Sequence, residues 1–360
     1  MERYLDFQIR RENFAESRWV EADPLTEADL DDGQILVAVE RFALTANNIT
    51  YAVTGDSIGY WNFFPADDGW GRIPVWGFGT VTGSKSQAVE SGERLYGFFP
   101  MSSQIVMTPA KNDPAGFFDA TPERQGVASV YDYYRRCDAD SDAHADDLRA
   151  LFQPLFMTAF LLEDWLAEQE NFGAERILMT SASSKTALGT AHLLQVHRDG
   201  DTPELIGTTS AGNRKFVEST GYFDVTVRYN QLESLPTEGP LLVIDYAGSR
   251  ALKQRIRDHF DEVAGVVIVG VTHHGDTDLK PGAIDGETFF FAPDQSRKRV
   301  DEWGREGFQE RYLAAAQRFF DTTGSWLELV HASAPRDLED EFRDVLTGAR
   351  DPSTGLILQF

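Results

Sequence analysis

The stretch ILMTSASSKTALGTA, residues 177–191, decides the fold of this chain, because an apolar strand runs through a turn of small residues into a helix. At such a junction in an open α/β sheet, backbone N–H groups and the helix dipole receive a pyrophosphate. The usual fingerprint carries three glycines, whereas Ser181, Ser184 and Ala187 stand at the matching spacing here. The residues that we predict to hold a cofactor in this turn are Ser181, Ser183, Ser184, Lys185 and Thr186, and Lys185 is long enough to reach a phosphate.

Besides a nucleotide-binding turn, these residues have two other interpretations. The first is an ordinary helix that begins at a serine N-cap, and it stays open. The second is a phosphate-binding P-loop, because SSKT resembles the end of that motif. The required glycines are absent, with Met179 and Ser184 in their places, so the sequence excludes a P-loop.

Strand-like and helix-like segments alternate on either side of the turn. The predicted strands are residues 176–180, 204–208, 224–227, 241–244, 263–269 and 288–291, and the predicted helices are residues 186–197, 213–219 and 249–260. Apolar strands that alternate with helices predict a parallel sheet covered on both faces, in a doubly wound arrangement.

The end of the second strand of this region indicates which nucleotide is bound. An NAD site places an acid there, about 20 residues past the turn, to hold the ribose 2′-hydroxyl. This chain has Thr208 and Thr209 instead, followed by polar and cationic residues. The candidate ligands of a 2′-phosphate are Ser210, Asn213, Arg214, Lys215, Arg228 and Tyr229. Hydroxyls beside cations suit a phosphate, so the pattern predicts NADPH rather than NADH, with a solvated helix start as the alternative.

The regions before and after this α/β segment have a different pattern of strands and helices. Short strands at residues 35–42, 75–82 and 94–99 lie beside glycine turns and predict a β-rich first third. An acidic stretch at residues 138–147 is expected to be an exposed loop, and a helix follows at residues 151–169. The tail holds predicted helices at residues 308–320 and 338–346 and closes on the apolar strand GLILQF, residues 355–360.

The composition limits the function classes. The chain of 360 residues is long enough for two domains, and its net charge of −25 argues against a nucleic-acid partner. We interpret that charge as a solvated acidic surface. Cys137 is the single cysteine, and no apolar run approaches the ~20 residues that span a bilayer. The expectation is a cytoplasmic protein that does not enter a membrane.

Six segments together resemble the medium-chain dehydrogenase/reductase superfamily, on its zinc-free, quinone-reductase-like side, and the nearest relatives are expected in an uncharacterised bacterial branch. The segments are ILVAVERFALTANNITYAVTG at 35–55, IPVWGFGTV at 73–81, SGERLYGFFP at 91–100, PLFMTAFLLEDWL at 154–166, LLVIDYAGS at 241–249 and VVIVGVTHHG at 266–275. The resemblance implies an α/β protein in which a GroES-like β-barrel catalytic domain accompanies a Rossmann domain with a doubly wound parallel sheet. The implied boundaries are residues 1–150 for the catalytic domain, 151–295 for the cofactor domain and 296–360 for a segment that returns to the catalytic domain. It also implies a homodimer, with cofactor and substrate in the cleft between the domains.

The resemblance also indicates which residues of this chain stand where zinc-dependent members bind their metal. Thr45, Trp76 and Gly77 stand where zinc-dependent members carry their ligands, and none of the three is suited to zinc. His273 and His274 are adjacent on a strand end, where neighbouring side chains point to opposite faces. We therefore expect no metal.

Without zinc, the charge left by hydride transfer needs a proton donor. Tyr60, in TGDSIGYWNFFP, falls in the loop where enoyl-reducing relatives place a tyrosine acid, and Tyr51 and Asn48 are expected to orient a substrate oxygen. The alternative is that this aromatic stretch only plugs a barrel. The wider region is also rich in aromatic residues, and these predict an apolar substrate if they line the cleft but indicate nothing about the substrate if they form core: Trp61, Phe63, Phe64, Trp70, Trp76 and Phe78. Tyr131, Tyr133 and Tyr134 are interpreted as packing or subunit-contact residues.

Three functions are compatible with these patterns. The first is an NADPH-dependent, zinc-independent oxidoreductase that reduces an activated C=C or C=O bond of a small molecule. The second is a non-catalytic NADPH-binding sensor or scaffold with the same fold. The third is a small-ligand binder that uses the aromatic residues and no nucleotide.

Overall fold

A computed structural model describes residues 3–124, 129–198, 203–269 and 286–360. The packing divides the chain into two compact units. Unit 1 comprises Met1–Leu151, Leu329–Arg350 and Gly355–Phe360, and unit 2 comprises Phe152–Glu328 and Asp351–Thr354. Within the described residues, no helix is both long and apolar enough to cross a bilayer.

Unit 1 is mainly built from antiparallel strands. Its first elements are β1 (Tyr4–Arg10), β2 (Asn13–Ala22), β3 (Ile35–Leu44), α1 (Ala46–Val53), β4 (Trp70–Gly71), β5 (Pro74–Ser84), β6 (Arg94–Pro100), β7 (Gln104–Met107), β8 (Pro109–Asp113), β9 (Gly116–Asp119) and β10 (Tyr133–Cys137). β1, β2 and β4 form a three-stranded sheet, and the others enter a nine-stranded sheet that β17 (Glu328–Ser333) and β18 (Thr354–Gln359) complete. The apolar alternation of β3 places Ile35, Val37 and Val39 in the core between these sheets.

Unit 2 contains a six-stranded sheet in which every pairing is parallel. Its strands are β11 (Arg176–Met179), β12 (Glu204–Thr209), β13 (Val225–Arg228), β14 (Leu241–Asp245), β15 (Val263–Ile268) and β16 (Glu287–Phe289). Their spatial order, β13-β12-β11-β14-β15-β16, reverses between β11 and β14. This is the order 3-2-1-4-5-6 of the doubly wound dinucleotide fold, so the predicted fold class is confirmed.

Helices cover this sheet. They are α2 (Ala143–Glu168), α3 (Lys185–Val196), α4 (Arg214–Thr220), α5 (Arg250–His259) and α6 (Ala292–Thr323), with α7 (Ala334–Thr347) following in unit 1. Leu178, Ile206 and Val243 are completely buried in the sheet, as expected for parallel strands covered on both faces. Phe156 of α2 stacks on Phe319 of α6, with ring centroids 4.8 Å apart.

The C-terminal strand finds its sheet in unit 1. Leu356 pairs with Leu44 and Leu358 pairs with Phe42, antiparallel to β3. The packing keeps α6 with unit 2, so the boundary expected at residue 295 lies inside that unit. The boundaries of independently folding domains stay a prediction.

One local expectation is wrong. The acidic stretch at 138–147 is not wholly an exposed loop, because α2 begins at Ala143 and both Asp146 and Asp147 are buried. Arg94 binds Asp146 at 2.6 Å and Arg41 binds Asp147 at 3.1 Å. The positive charges of arginines on two strands of unit 1 thus stabilise two buried carboxylates, which the composition alone predicted to be exposed to solvent.

Candidate functional site

The turn between β11 and α3 contains no glycine, yet one of its residues has a positive φ. Ser181 adopts a left-handed conformation, with φ at 48°, at the place of the first fingerprint glycine. Ser184 is the N-cap of α3, and its hydroxyl accepts a hydrogen bond from the N–H of Ala187 at 3.3 Å. Ala187 is completely buried, so its small side chain lets α3 pack closely on the sheet. Ser181 therefore has the positive φ that glycine usually supplies, and the serine-capped helix expected as an alternative is present.

A buried pair holds this turn against the neighbouring strand. The hydroxyl of Thr180 donates to Oδ1 of Asp245 at 2.7 Å, and it accepts from the N–H of Tyr246 at 2.9 Å and of Ala247 at 3.0 Å. Thr180 and Asp245 are both completely buried. The same carboxylate oxygen accepts from the N–H of Gly248 at 3.1 Å. The ends of β11 and β14, which flank the point where the strand order reverses, are thereby fixed to each other.

Burial raises the pKa of Asp245 above its ordinary value, and the hydrogen bonds and Lys253 oppose that shift. Oδ2 of Asp245 is buried without a hydrogen-bond partner among the described residues, and Nζ of Lys253 lies 3.9 Å from it. Lys253 is also 3.1 Å from a carboxylate oxygen of Glu287. Lys253 therefore links the carboxylate at the end of β14 to the carboxylate at the start of β16.

The end of β12 contacts the turn directly. The hydroxyl of Ser183 accepts from Thr209 at 3.3 Å and from the side-chain amide of Asn213 at 3.1 Å. The N–H of Asn213 donates to the hydroxyl of Ser210 at 3.3 Å. Thr209 is also paired in register with Arg228 on β13. The predicted ligands on three neighbouring strands therefore meet at one edge of the sheet.

The three cationic side chains at this edge differ in their exposure and in their hydrogen bonds. Arg214 is partly exposed, and its Nε donates to Glu218 one helical turn later, at 2.7 Å. Arg228 donates through Nε to the side chain of Gln231 at 3.0 Å. Lys215 is exposed and makes no hydrogen bond or ion pair with any residue that the structure describes. In both Arg214 and Arg228, the hydrogen bond uses only Nε of the guanidinium group.

Lys185 and Tyr229 have contacts that the sequence did not predict. Nζ of Lys185 donates to the backbone carbonyl of Thr354 at 2.7 Å, so in this structure it ties the start of α3 to the first residue of β18. The hydroxyl of Tyr229 accepts from the N–H of Ser181 at 3.0 Å and lies 3.2 Å from the Ser181 hydroxyl. Thr186 follows Lys185 in the first turn of α3 and is partly buried.

A second group of candidate residues lies in unit 1. Tyr60 lies in the core, with its ring centroid 4.6 Å from that of Tyr51, and its hydroxyl is 2.7 Å from that of Tyr131. The indole N–H of Trp76 donates to the hydroxyl of Tyr51 at 3.2 Å. Burial raises the pKa of Tyr51 and of Tyr60, so both are neutral phenols at physiological pH. The expected aromatic packing is thus present, and it encloses three phenol hydroxyls.

Asn48 has a structural explanation. Its Oδ1 accepts from the N–H of Thr45 at 2.8 Å, which completes a capping box at the start of α1. Its amide group donates to the carbonyl of Pro74 at 2.9 Å. Two internal hydrogen bonds therefore compete with the predicted contact between Asn48 and a substrate oxygen.

The places of the zinc ligands are occupied by packing residues. Thr45 caps α1, and Trp76 binds Tyr51. A Cβ at Gly77 would lie 2.1 Å from the carbonyl of Arg41, so the close pairing of β3 and β5 requires glycine. In the part of the chain that the structure describes, no three His, Cys, Asp or Glu side chains form a cluster fit for a metal ion. His273 and His274 lie outside the described residues.

Two features escaped the sequence analysis. One is the pair of Thr180 and Asp245, although a polar residue directly after each of two neighbouring strands was a usable signal. The other is Tyr131, whose contact with Tyr60 joins residues 71 positions apart. No local pattern indicates such a contact.

Comparisons with known proteins agree with this architecture. A family model described as "Protein of unknown function (DUF2855)" matches residues 42–351, whereas no curated protein matches the sequence. The structure is similar to that of CurA in complex with NADPH from Vibrio vulnificus, with 11% identity, a TM-score of 0.66 and coverage of 99% of this chain and 98% of that one. It is also similar to a mutant enoyl thioester reductase from Candida tropicalis, with 9% identity, a TM-score of 0.59 and all of both chains covered. A quinone oxidoreductase from Coxiella burnetii gives 12% identity, a TM-score of 0.58 and 99% coverage of both chains. At these identities the likeness shows the fold, which is that of the medium-chain dehydrogenases and reductases, as the resemblance implied.

Proposed function

We propose that this chain, which belongs to the protein family of unknown function DUF2855, is an NADPH-dependent oxidoreductase. It would reduce an activated C=C or C=O bond of an apolar small molecule, without zinc. The observation that carries the proposal is the edge of the unit 2 sheet. There, a left-handed turn, the N-terminus of α3 and hydroxyl and cationic side chains from three strands meet.

The choice of NADPH over NADH rests on the end of β12. An acid that would hold a ribose 2′-hydroxyl is replaced by Thr209 and Ser210, and Asn213 is already oriented by Ser183. Arg214, Lys215 and Arg228 supply positive charge in a chain whose net charge is −25. A 2′-phosphate gains charge-assisted hydrogen bonds from such groups, and a hydroxyl gains much less.

The residues present fit a dinucleotide in size as well as in charge. Ser181, Ala182 and Ser183 are small enough for a pyrophosphate to approach the backbone, and Tyr229 holds the N–H of Ser181 in place. When bound, the nicotinamide supplies the hydride. The negative charge that the hydride leaves on the acceptor needs a proton donor, and the neutral phenols of this chain have the chemistry for that role.

The similar structures support the same class of function. One of them is a complex with NADPH, one is an enoyl thioester reductase and one is a quinone oxidoreductase. Enones, enoyl thioesters and quinones all accept a hydride at carbon and become anionic at oxygen. A homodimer remains an expectation of the family resemblance, and a cytoplasmic location remains an expectation from the composition.

A non-catalytic NADPH-binding sensor or scaffold is the second candidate. It is favoured by the burial of Tyr60, whose side chain is part of the unit 1 core and only 4% exposed. In that case the nucleotide site would be kept and the aromatic cluster would be packing alone.

Titration of the purified protein with NADPH and with NADH tests the cofactor. Extra contacts to the 2′-phosphate are worth ~2–4 kcal/mol, or roughly 30- to 1000-fold tighter binding of NADPH. Equal affinities, or a preference for NADH, would contradict the proposal. NADPH oxidation with a panel of quinones, enones and aldehydes then separates the reductase from the sensor.

A further inference from the structure

Three phenols and one indole form a compact group in unit 1, which we call the tyrosine cluster: Tyr51, Tyr60, Tyr131 and Trp76. Tyr51 lies on α1, Tyr60 begins the 3-10 helix Tyr60–Asn62, and Tyr131 ends the 3-10 helix Ser129–Tyr131. The ring centroids of Tyr60 and Tyr131 are 5.5 Å apart in an edge-on arrangement. Their hydroxyl oxygens are 2.7 Å apart, which is the ordinary length of an O–H···O hydrogen bond.

The direction of this bond follows from burial. Tyr60 is only 4% exposed, and the hydroxyl of Tyr131 is its one hydrogen-bond partner among the described residues. If Tyr131 donated, the Tyr60 proton would be buried without an acceptor, at a cost of about 1–3 kcal/mol. Tyr60 therefore donates, and Tyr131 accepts. The proton of Tyr131 is then directed away from this bond.

Tyr131 is also the most accessible phenol of the cluster. It is partly buried, whereas Tyr51 and Tyr60 are buried, and its chain neighbour Val130 is 45% exposed. The hydroxyl of Tyr51 receives the indole N–H of Trp76, and its ring packs against Tyr60. The hydrogen bond from Trp76 thus orients Tyr51, and the Tyr51 ring packs against Tyr60 and helps to hold it in place.

We propose that Tyr131 is the proton donor of this chain and that Tyr60 is its positioning residue, which donates a hydrogen bond to the Tyr131 oxygen. This inference rests on the proposed reductase function and replaces Tyr60 as the expected acid. Burial raises the pKa of Tyr131, and the hydrogen bond from Tyr60 opposes that shift. The bond thereby makes Tyr131 a better acid than an isolated buried phenol would be.

The step balances with the reduced nicotinamide as the source of hydride. After hydride reaches the acceptor carbon, negative charge lies on the acceptor oxygen or on the adjacent carbon. The O–H bond of Tyr131 breaks, its proton forms a new O–H or C–H bond on the acceptor, and the electron pair stays on the Tyr131 oxygen. The hydroxyl of Tyr60 stabilises that phenolate, and water returns the proton.

The first test needs neither cofactor nor substrate. With 3,5-difluorotyrosine placed at position 131, the ionisation of that residue is followed by ¹⁹F NMR in the otherwise unchanged protein and in Tyr60→Phe. Loss of the donor should raise the pKa at position 131 by about one unit. Tyr133→Phe, which removes a hydroxyl outside the cluster, should leave it unchanged. An unchanged or lower pKa in Tyr60→Phe would overturn the proposed direction of the hydrogen bond.

The second test uses turnover with an acceptor that the wild type reduces. Tyr131→Phe should lower kcat by ~10²-fold or more, and Tyr60→Phe by about tenfold with a shifted alkaline limb of the kcat profile. Tyr133→Phe should keep wild-type turnover, and all three variants should keep wild-type NADPH affinity. A larger loss in Tyr60→Phe than in Tyr131→Phe would reverse the roles. Absence of NADPH binding by the wild type would instead refute the proposed function itself.

Discussion

The hydroxyl of Thr180 donates a 2.7 Å hydrogen bond to Oδ1 of Asp245, and neither side chain has any exposed surface. Thr180 follows β11 and Asp245 ends β14, the two strands between which the order of the sheet reverses. This contact fixes the turn that would receive the pyrophosphate, because Ser181 follows Thr180 directly. The stability of the fold and the geometry of the nucleotide site are therefore coupled at one buried pair.

Thr180→Val tests this coupling. Valine keeps the shape but removes the hydroxyl that donates to Asp245 and accepts from the N–H of Tyr246, while the N–H groups of Ala247 and Gly248 still donate to the carboxylate. The free energy of unfolding should therefore fall by roughly 1–3 kcal/mol. Urea denaturation measures the change. Thr288→Val, at an exposed position on β16, is the matched control and should change it by less than about 0.5 kcal/mol. Equal effects of the two substitutions would show that the buried pair has no special role.

Arg214→Ala tests the 2′-phosphate contact. If Arg214 binds that phosphate, NADPH affinity should fall by ~10–100-fold while NADH affinity changes by less than about threefold. Its exposed pair with Glu218 contributes little to stability, so the variant should fold normally. Fluorescence titration measures both affinities, with Arg297→Ala on α6 as a control that should match the wild type. A parallel loss for both nucleotides would place Arg214 elsewhere than at the 2′-phosphate.

Lys185→Met distinguishes a structural lysine from a phosphate ligand. The bond from Nζ to the carbonyl of Thr354 predicts a loss of about 1–3 kcal/mol of stability and a change of less than about threefold in NADPH affinity. Parallel denaturation and titration give both quantities. Lys298→Met, which removes an exposed partner of Glu168, is the control for loss of a lysine. A tenfold loss of affinity at unchanged stability would support the role that the sequence suggested.

His192→Phe tests a source of acid sensitivity in unit 2. Burial lowers the pKa of His192 to about 4, and its Nε2 is buried without a partner among the described residues. The unfolded chain binds this proton at higher pH than the folded protein does, so stability is full above pH ~6.5 and falls as the pH drops toward 4. Between about pH 7.5 and pH 5.2 the contribution of this group is roughly 1.5 kcal/mol.

In His192→Phe that part of the loss should disappear from urea denaturation curves recorded at the two pH values. Titrating groups that do not interact with His192 are common to both proteins and cancel in the difference, whereas the charge of His197 contributes to the lowered pKa of His192 and is part of the measured effect. His144→Gln, at an exposed position, should retain the wild-type acid sensitivity. Identical pH dependence in wild type and His192→Phe would show that His192 already binds its proton normally in the folded state.

Much of the fold could be predicted because it depends on local periodicity. Strands covered on both faces need continuous apolar runs, and the segments at 176–180, 204–208 and 241–244 have them. Helix starts carry N-cap residues, of which Ser184 and Ser249 are examples. The start of α2 was misplaced because Asp146 and Asp147 resemble loop residues until Arg94 and Arg41 are seen to bind them.

The amino-acid sequence by itself determined the alternation of strands and helices, the small residues of the nucleotide turn and the lack of an acid after β12. These properties lie within short segments, where side-chain period and residue size are sufficient. Only the tertiary structure decided that Thr180 meets Asp245, that Lys185 binds the first residue of β18 and that Tyr60 meets Tyr131. Such contacts join residues far apart in the chain, and their hydrogen bonds depend on positions set by the packing of whole strands and helices. A donor and its acceptor can be located only once that packing is known.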